Sequence, residues 1–348
     1  MPHPLRLGFP VKVMGEPELK SNDSRRHKNN PHLKVSLEYL DKILDYLAKH
    51  EITMYRMSSD IAPYATHPDM PRFHNMVAES AAELRAFGRK ARDLDIRLSF
   101  HPSQFIVLNS PDPKLVKKSI WDLESQAEML DRMELGAEAV MVVHVGGTYG
   151  DRPTSSARWV ETWKTLSEPV RRRLVLEHDD LRFSAADTLW IHEHTGVPLV
   201  FDYQHFWCFN PEQLDLRKTI EKMLATWQTG VRPKIHFSSP RTELREVKRK
   251  KKGEKKQSLV YVAPVWTGHA DFNNPFEFVN FLRGVHDLDF DIMFEAKSKD
   301  LALIRARRDL IRFAPEIAER FGIAVDRAAR FDIEEMKLME TETSAEAA

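Results

Sequence analysis

Six short apolar runs each end on a side chain able to bind a metal: Leu98-Ser99-Phe100-His101, Val142-Val143-His144, Leu174-Val175-Leu176-Glu177, Leu199-Val200-Phe201-Asp202, Lys234-Ile235-His236 and Ile292-Met293-Phe294-Glu295. A His, Asp or Glu set where a buried strand surfaces is costly if it stays unpaired, so six such endings call for a shared partner, and a cluster of divalent cations supplies one. His205 follows Asp202 by three residues, and His67 and His269 fall in loops expected after the second and seventh strands. The full set is then His67, His101, His144, Glu177, Asp202, His205, His236, His269 and Glu295. That is too many donors for one catalytic zinc with an open position, but it fits two or three cations bridged by carboxylates. The single cysteine, Cys208, excludes a thiolate-rich site, and imidazole with carboxylate suits Mn, Zn or Fe. No GxSxG elbow is present and Cys208 sits between Trp207 and Phe209, so no protein nucleophile is evident. Lys234 shares a strand face with His236, where an ammonium beside cations is unfavourable; it should be deprotonated, salt-bridged or converted to an anion. His192 and His194, in Ile191-His192-Glu193-His194, lack the i, i+4 spacing of a zinc-binding helix and read as surface residues. His178 is expected to face away from the site or to support a neighbouring ligand.

The elements that must position these residues alternate between strand-like and helix-like runs from end to end, the pattern of parallel strands with helical crossovers. Eight strands are expected near Leu5–Phe9, Thr53–Met57, Arg97–Phe100, Ala139–His144, Leu174–Glu177, Pro198–Asp202, Lys234–Phe237 and Asp289–Glu295. Between the first two, Leu37, Leu40, Leu44 and Leu47 recur at helical spacing behind Ser36 as an N-cap, and the pattern ends at His50-Glu51. A second helix is expected from Leu115 to Leu135, closed by Gly136. Eight such units with donors at the strand ends predict an α/β fold, a closed (β/α)8 TIM barrel, in preference to an open sheet that gathers its ligands at one switch point.

At 348 residues and 42% hydrophobic content the chain suits one globular barrel domain, expected over residues 1–315 with a basic insertion at about 241–258 and a C-terminal extension over 316–348. Formal net charge is zero, so a local basic patch matters more than overall charge. Arg241 to Lys256 holds nine basic and three acidic residues. Its segment Lys248-Arg249-Lys250 could contact phosphates or simply be solvated. The acidic, aromatic-free end from Glu334 is expected to be disordered. No apolar run approaches the roughly 20 residues of a membrane span, and the N-terminus lacks the layout of a secretory signal, so a cytoplasmic protein is expected. Gly146-Gly147-Thr148-Tyr149-Gly150 after the fourth strand either lets backbone amides approach a phosphate or forms a plain turn.

His101-Pro102-Ser103-Gln104-Phe105 resembles the HPxQ(Y/F) motif of the UV damage endonucleases, barrel relatives of endonuclease IV. Seven further segments resemble the family's motifs in the same order: Thr66-His67-Pro68, His144-Val145-Gly146-Gly147, Leu176-Glu177-His178-Asp179, Asp202-Tyr203-Gln204-His205, Lys234-Ile235-His236-Phe237-Ser238, His269-Ala270-Asp271-Phe272 and Glu295-Ala296-Lys297. The resemblance implies a di- or trinuclear site on the nine donors, typically of Mn2+, with Zn2+ or Co2+ as substitutes. It implies a catalytic centre on Glu177, His236, Lys234 and Glu295, with Lys234 in carboxylated form. Gln104 and Phe105 match the pair that wedges into the duplex opposite a lesion, and Phe9 would lie nearby. Phe9 and Phe105 stand where tyrosine is common, and His178 replaces an asparagine, so any hydrogen bond from the two tyrosine hydroxyls is lost while a stacking face remains.

The implied activity is cleavage of the phosphodiester immediately 5′ of pyrimidine dimers, 6-4 photoproducts and abasic sites. The implied partner is double-stranded DNA carrying UV lesions, and the enzyme would act as a monomer, cytoplasmic and nucleoid-associated, without a nucleotide cofactor or a membrane. Two other readings stay open at this point: a metal-dependent sugar isomerase or epimerase of the same barrel class, and a non-catalytic damaged-DNA-binding protein.

Overall fold

Short apolar runs too brief to cover a sheet alone are stable here because each is buried on both faces, by its neighbours across a barrel interior and by helices outside. The computed structural model describes residues 4–250 and 256–323. Its strands are β1 (Leu7–Pro10), β2 (Met54–Arg56), β3 (Arg97–Ser99), β4 (Met141–His144), β5 (Leu174–Glu177), β6 (Leu199–Val200), β7 (Lys234–Phe237), β8 (Arg245–Arg249), β9 (Ser258–Val262) and β10 (Asp291–Phe294). Eight are parallel, in the order β3-β2-β1-β10-β7 and β4-β5-β6. Isolated parallel bridges, Phe100 with Met141 and Asp202 with His236, join the two sheets at both edges. Backbone bonds seal them: Phe100 N–H donates to the Val140 carbonyl at 3.0 Å and His236 N–H to the Phe201 carbonyl at 2.8 Å. The fold is the expected TIM barrel. The remaining two strands, β8 and β9, form an antiparallel hairpin in the loop that the basic run occupies, where sequence reasoning placed no strand.

Strand alternation sorts the side chains into layers. Val140, Val142, Val175 and Val200 face inward and pack with Trp227 as a separate small core. Below them Arg97, wholly buried, donates to Asp291 at 2.7 Å and closes the floor. Gly8 of β1 also faces inward, because a Cβ there would lie 2.7 Å from Met54 Cγ. Its neighbour Phe9 therefore faces the helices.

Helix Leu33–Lys49 buries Leu37, Leu40, Leu44 and Leu47 as expected, but it starts a turn earlier, with His32 as N-cap. Ser36 lies within the helix and its Oγ accepts from Asp23 N–H at 2.9 Å, a long-range use that local pattern does not reveal. The next long helix runs Pro113–Arg132 from an Asp112 cap and ends at Met133, so Gly136 caps nothing; Glu134 takes the left-handed turn at φ 57° instead. The boundary at 315 also needs correction. Residues Pro315–Ala318 and Glu319–Phe321 are helical, Ile317 and Ile323 are buried, and the Arg320 carbonyl accepts Leu5 N–H at 2.8 Å. The barrel unit thus continues to the last described residue, 323, and the expected disorder of the acidic end lies outside the described residues. No described helix is long and apolar enough to cross a membrane.

Candidate metal centre

The residues at the C-terminal strand ends share the inward parity of the valine layer below, so the barrel aims them at one point. Glu177, ending β5, lies between four imidazoles. Its Oε2 is 3.2 Å from His101 Nε2 and 3.7 Å from His144 Nε2, while its Oε1 is 2.9 Å from His236 Nδ1 and 3.5 Å from His205 Nδ1. Three donor sets have all their ligand atoms within 4.8 Å of one another: His101 with Glu177 and His236; His144 with Glu177 and His205; Asp202 with His236 and Glu295. Glu177 and His236 each belong to two sets, the arrangement that adjacent bridged cations need. Seven of the nine expected donors are thereby brought together. His269 stands beside them, its Nε2 3.7 Å from Glu295 Oε2. His67 belongs to none of the three sets. It lines a cavity of about 470 Å³ together with Phe105, and its Nδ1 accepts from Asp69 N–H at 3.3 Å.

The electrostatics match a site built for positive charge. Burial pushes the Glu177 carboxyl up, but His236 and His144 outweigh it and hold the group well below the usual carboxylate range. Glu295 is likewise raised by burial and lowered further by Arg56, which donates to it, and by His236. For His205 burial opposes protonation, yet Asp202, Glu177 and Glu295 raise it to about 9. In a bound site a cation takes the place of that proton. His178 is wholly buried and pushed down to about 3 by burial and by His205. Its Nε2 accepts from Asp202 N–H at 3.0 Å, and its carbonyl accepts from His205 Nδ1 at 3.0 Å. The expectation of a supporting role thus meets a residue that orients two donors at once.

The donor set has the unsatisfied valences that a metal would fill. Asp202 Oδ2, His236 Nε2 and His144 Nδ1 are buried with no hydrogen-bond partner among the described residues, each an omission costing about 1–3 kcal/mol unless something else satisfies it. His101 Nδ1 at 3.1 Å from the Pro102 carbonyl must donate, as must His205 Nδ1 toward the His178 carbonyl. Both rings therefore present an Nε2 lone pair, the form that ligates. Lys234 lies one inward step below His236, wholly buried, with no partner for Nζ among the described residues. Burial, then Arg97 and Arg56, hold it well below an ordinary lysine, which favours the uncharged amine.

The UV-endonuclease UvdE family model matches residues 18–326. The UV DNA damage endonuclease of Bacillus velezensis is 34% identical over 284 residues, covering 80% of this chain and 81% of its own. That of Bacillus cereus (strain ATCC 14579) is 31% identical over 299 residues, covering 85% and 88%. The crystal structure of SacUVDE matches with a TM-score of 0.72 at 30% identity, covering 88% of this chain and 98% of that one. The chain belongs to the UV-endonuclease UvdE family.

The pair expected to wedge into DNA, Gln104 and Phe105, follows the donor His101 in the chain. Gln104 is exposed and Phe105 is 78% exposed, both in the loop after His101. Phe9 has no exposure at all and packs edge-on against Tyr55, ring centroids 5.4 Å apart. It offers no face to a base, and its expected DNA contact is corrected: inward parity belongs to Gly8. Gly146 takes φ +116°, and a Cβ there would meet Asn109 Oδ1 at 2.4 Å, while Asn109 donates to the Gly147 carbonyl at 2.8 Å. Both glycines line a cavity of about 650 Å³ with Gln104, His101 and His144. Lys248, Arg249 and Lys250 are exposed on the β8 side of the hairpin. The base of that loop is tied to the site by a bridge between Pro240 and His269. His192 and His194 bond locally to the Val197 and Trp190 carbonyls; His194 is exposed, as expected, and His192 is partly buried. Sequence reasoning passed over Arg56, the inward-facing end of β2, because arginine is not a ligand type. Its parity with the other strand ends was the available signal.

Proposed function

We propose that this chain is a metal-dependent endonuclease that nicks UV-damaged duplex DNA immediately 5′ of pyrimidine dimers and 6-4 photoproducts, and at abasic sites. The observation that carries the reading is Glu177 held among four imidazoles, with two further carboxylates within the same cluster. His101, His144, Glu177, Asp202, His205, His236, His269 and Glu295 would hold two or three divalent ions, of which manganese is expected, with His67 the remaining donor of the expected set. Such ions polarise a phosphodiester and lower the pKa of water, so no protein nucleophile is required. Glu177 and Glu295 are kept ionised for binding by the imidazoles and Arg56. The buried Nζ of Lys234, without a partner among the described residues and depressed by burial, supports carboxylation there, which would place one more anion under the cluster.

The DNA must be bent and its damaged nucleotides turned out for a phosphate to reach a barrel mouth, which costs least where stacking is already weak. Phe105 and Gln104 stand free to fill the gap left in the duplex, and Gly146 and Gly147 line the adjoining cavity. Lys248, Arg249 and Lys250 extend the contact along flanking phosphates, with the protein acting as a monomer on nucleoid DNA. The test is an end-labelled duplex with one defined dimer, incubated with metal-free protein alone, with Mn2+, and with Mn2+ plus chelator. A nick 5′ of the dimer only in the Mn2+ arm is expected; no nick, or one indifferent to chelator, overturns the reading.

A further inference from the structure

The lone pair that His269 offers is not fixed by a backbone carbonyl, as it is for His101 and His205, but by two side chains outside the donor set. Gln204 is almost wholly buried at the start of the helical turn Tyr203–Cys208. Its Nε2 lies 2.9 Å from the Trp266 carbonyl and 3.2 Å from the Gly268 carbonyl. Two carbonyls can only accept, so the amide nitrogen must occupy that end and Oε1 must face the other way. There it meets Ser238 Oγ at 2.5 Å. An amide oxygen cannot donate, so the only proton of the Ser238 hydroxyl goes to Gln204. The same hydroxyl lies 2.6 Å from His269 Nδ1 and, with its proton committed, can only accept. Nδ1 must then carry the ring proton, and Nε2, 3.7 Å from Glu295 Oε2, is left with its lone pair toward the cluster.

We propose that Gln204 and Ser238 are positioning residues that hold His269 in the tautomer able to ligate a divalent cation, Gln204 setting the direction of the Ser238 hydroxyl and Ser238 setting the proton on the ring. The inference rests on His269 being a metal ligand, as proposed above. It makes the loop that carries Trp266 and Gly268 part of the site: the loop's carbonyls orient the amide and so, two hydrogen bonds on, the imidazole.

The test uses the full chain and Mn2+ alone, without DNA. The variants are Ser238→Ala, Gln204→Leu and His269→Ala, and His269→Gln assigns the ring's nitrogen signals in isotope-labelled, metal-free protein. Wild type is expected to show His269 protonated at Nδ1. Both Ser238→Ala and Gln204→Leu should shift it toward the Nε2-protonated form or a mixture, and should weaken binding of the Mn2+ ion that His269 holds by about 10- to 100-fold. Gln204→Leu carries the same two readouts if Ser238→Ala does not fold. An unchanged tautomer, or unchanged Mn2+ affinity in the two variants while His269→Ala loses an ion, overturns the proposal and leaves the ligand assignment standing. If His269→Ala binds Mn2+ as tightly as wild type, the ligand assignment itself falls.

Discussion

Two phenylalanines in equivalent-looking sequence settings have opposite consequences. Phe9 is wholly buried between strand and helices, and Phe9→Ala should cost about 3–5 kcal/mol of stability, read as a lower midpoint in denaturant. Phe105 stands clear of the fold, so Phe105→Ala should leave that midpoint unchanged. It should weaken binding to a dimer-containing duplex by about 1–3 kcal/mol, a loss measured against undamaged duplex of the same length. A variant pair with the effects exchanged would contradict the placement of both rings. His178 makes a second prediction at this scale. Its folded value of about 3 lies below the ordinary 6.5, so the unfolded chain takes up the proton first as pH falls. Its contribution is intact above about pH 6.5 and is lost progressively toward pH 3. In His178→Gln, whose amide oxygen can still accept from Asp202 N–H, the stability lost between about pH 6.5 and 4.5 should be smaller by roughly 2 kcal/mol. Chelator-treated protein should be used for both, so that metal release adds nothing to the slope. Parallel acid limbs would show that His178 is not held neutral.

Among the elements, the β8–β9 hairpin is the one whose removal the barrel would tolerate. It pairs only with itself, and its outer face carries Lys248, Leu259 and Tyr261. Replacing Lys248, Arg249 and Lys250 together by alanine should reduce the slope of log affinity against log salt by up to about 2.7, from roughly 0.9 per phosphate contact, and leave thermal unfolding unmoved. An unaltered slope would mean that the run is only solvated. The strands of the barrel behave differently. They are two to four residues long and hold because each edge finds a partner, including the single bridges at Phe100 and Asp202. Both bridges sit beside ligand positions, His101 and Asp202 itself, so barrel closure and site assembly depend on the same backbone bonds.

For the molecule as a whole, the centre gathers three carboxylates whose repulsion only imidazolium, Arg56 or bound cations can offset. Metal held at the proposed centre would therefore be linked to folding. Thermal unfolding of metal-free protein should shift upward with added Mn2+, by about 1.4 kcal/mol for each tenfold rise in free ion above the dissociation constant at each site. EDTA should reverse the shift. A midpoint indifferent to Mn2+ would remove the basis for a bound cluster. The floor of the barrel carries the Val140, Val142, Val175, Val200 and Trp227 core, and its one carboxylate, Asp291, is engaged by the buried Arg97 at 2.7 Å.

The sequence by itself determined which residue types end which strands and that parallel strands alternate with helices. Ligand chemistry and hydrophobic periodicity are local properties, legible wherever a run of apolar residues stops at His, Asp or Glu. The tertiary structure decided the matters that depend on register and closure. It turned Gly8 inward and Phe9 outward, because Met54 of the adjacent strand fills the space that a side chain at position 8 would need. It drew Arg56 into the site and left His67 in a neighbouring cavity. It set Ser36 to bind Asp23 rather than to begin a helix. The hydrogen bonds through Gln204 and Ser238 join segments more than 30 residues apart, between side chains whose types carry no ligand signal. Such contacts form only when the ends of a barrel meet, and no window of sequence contains them.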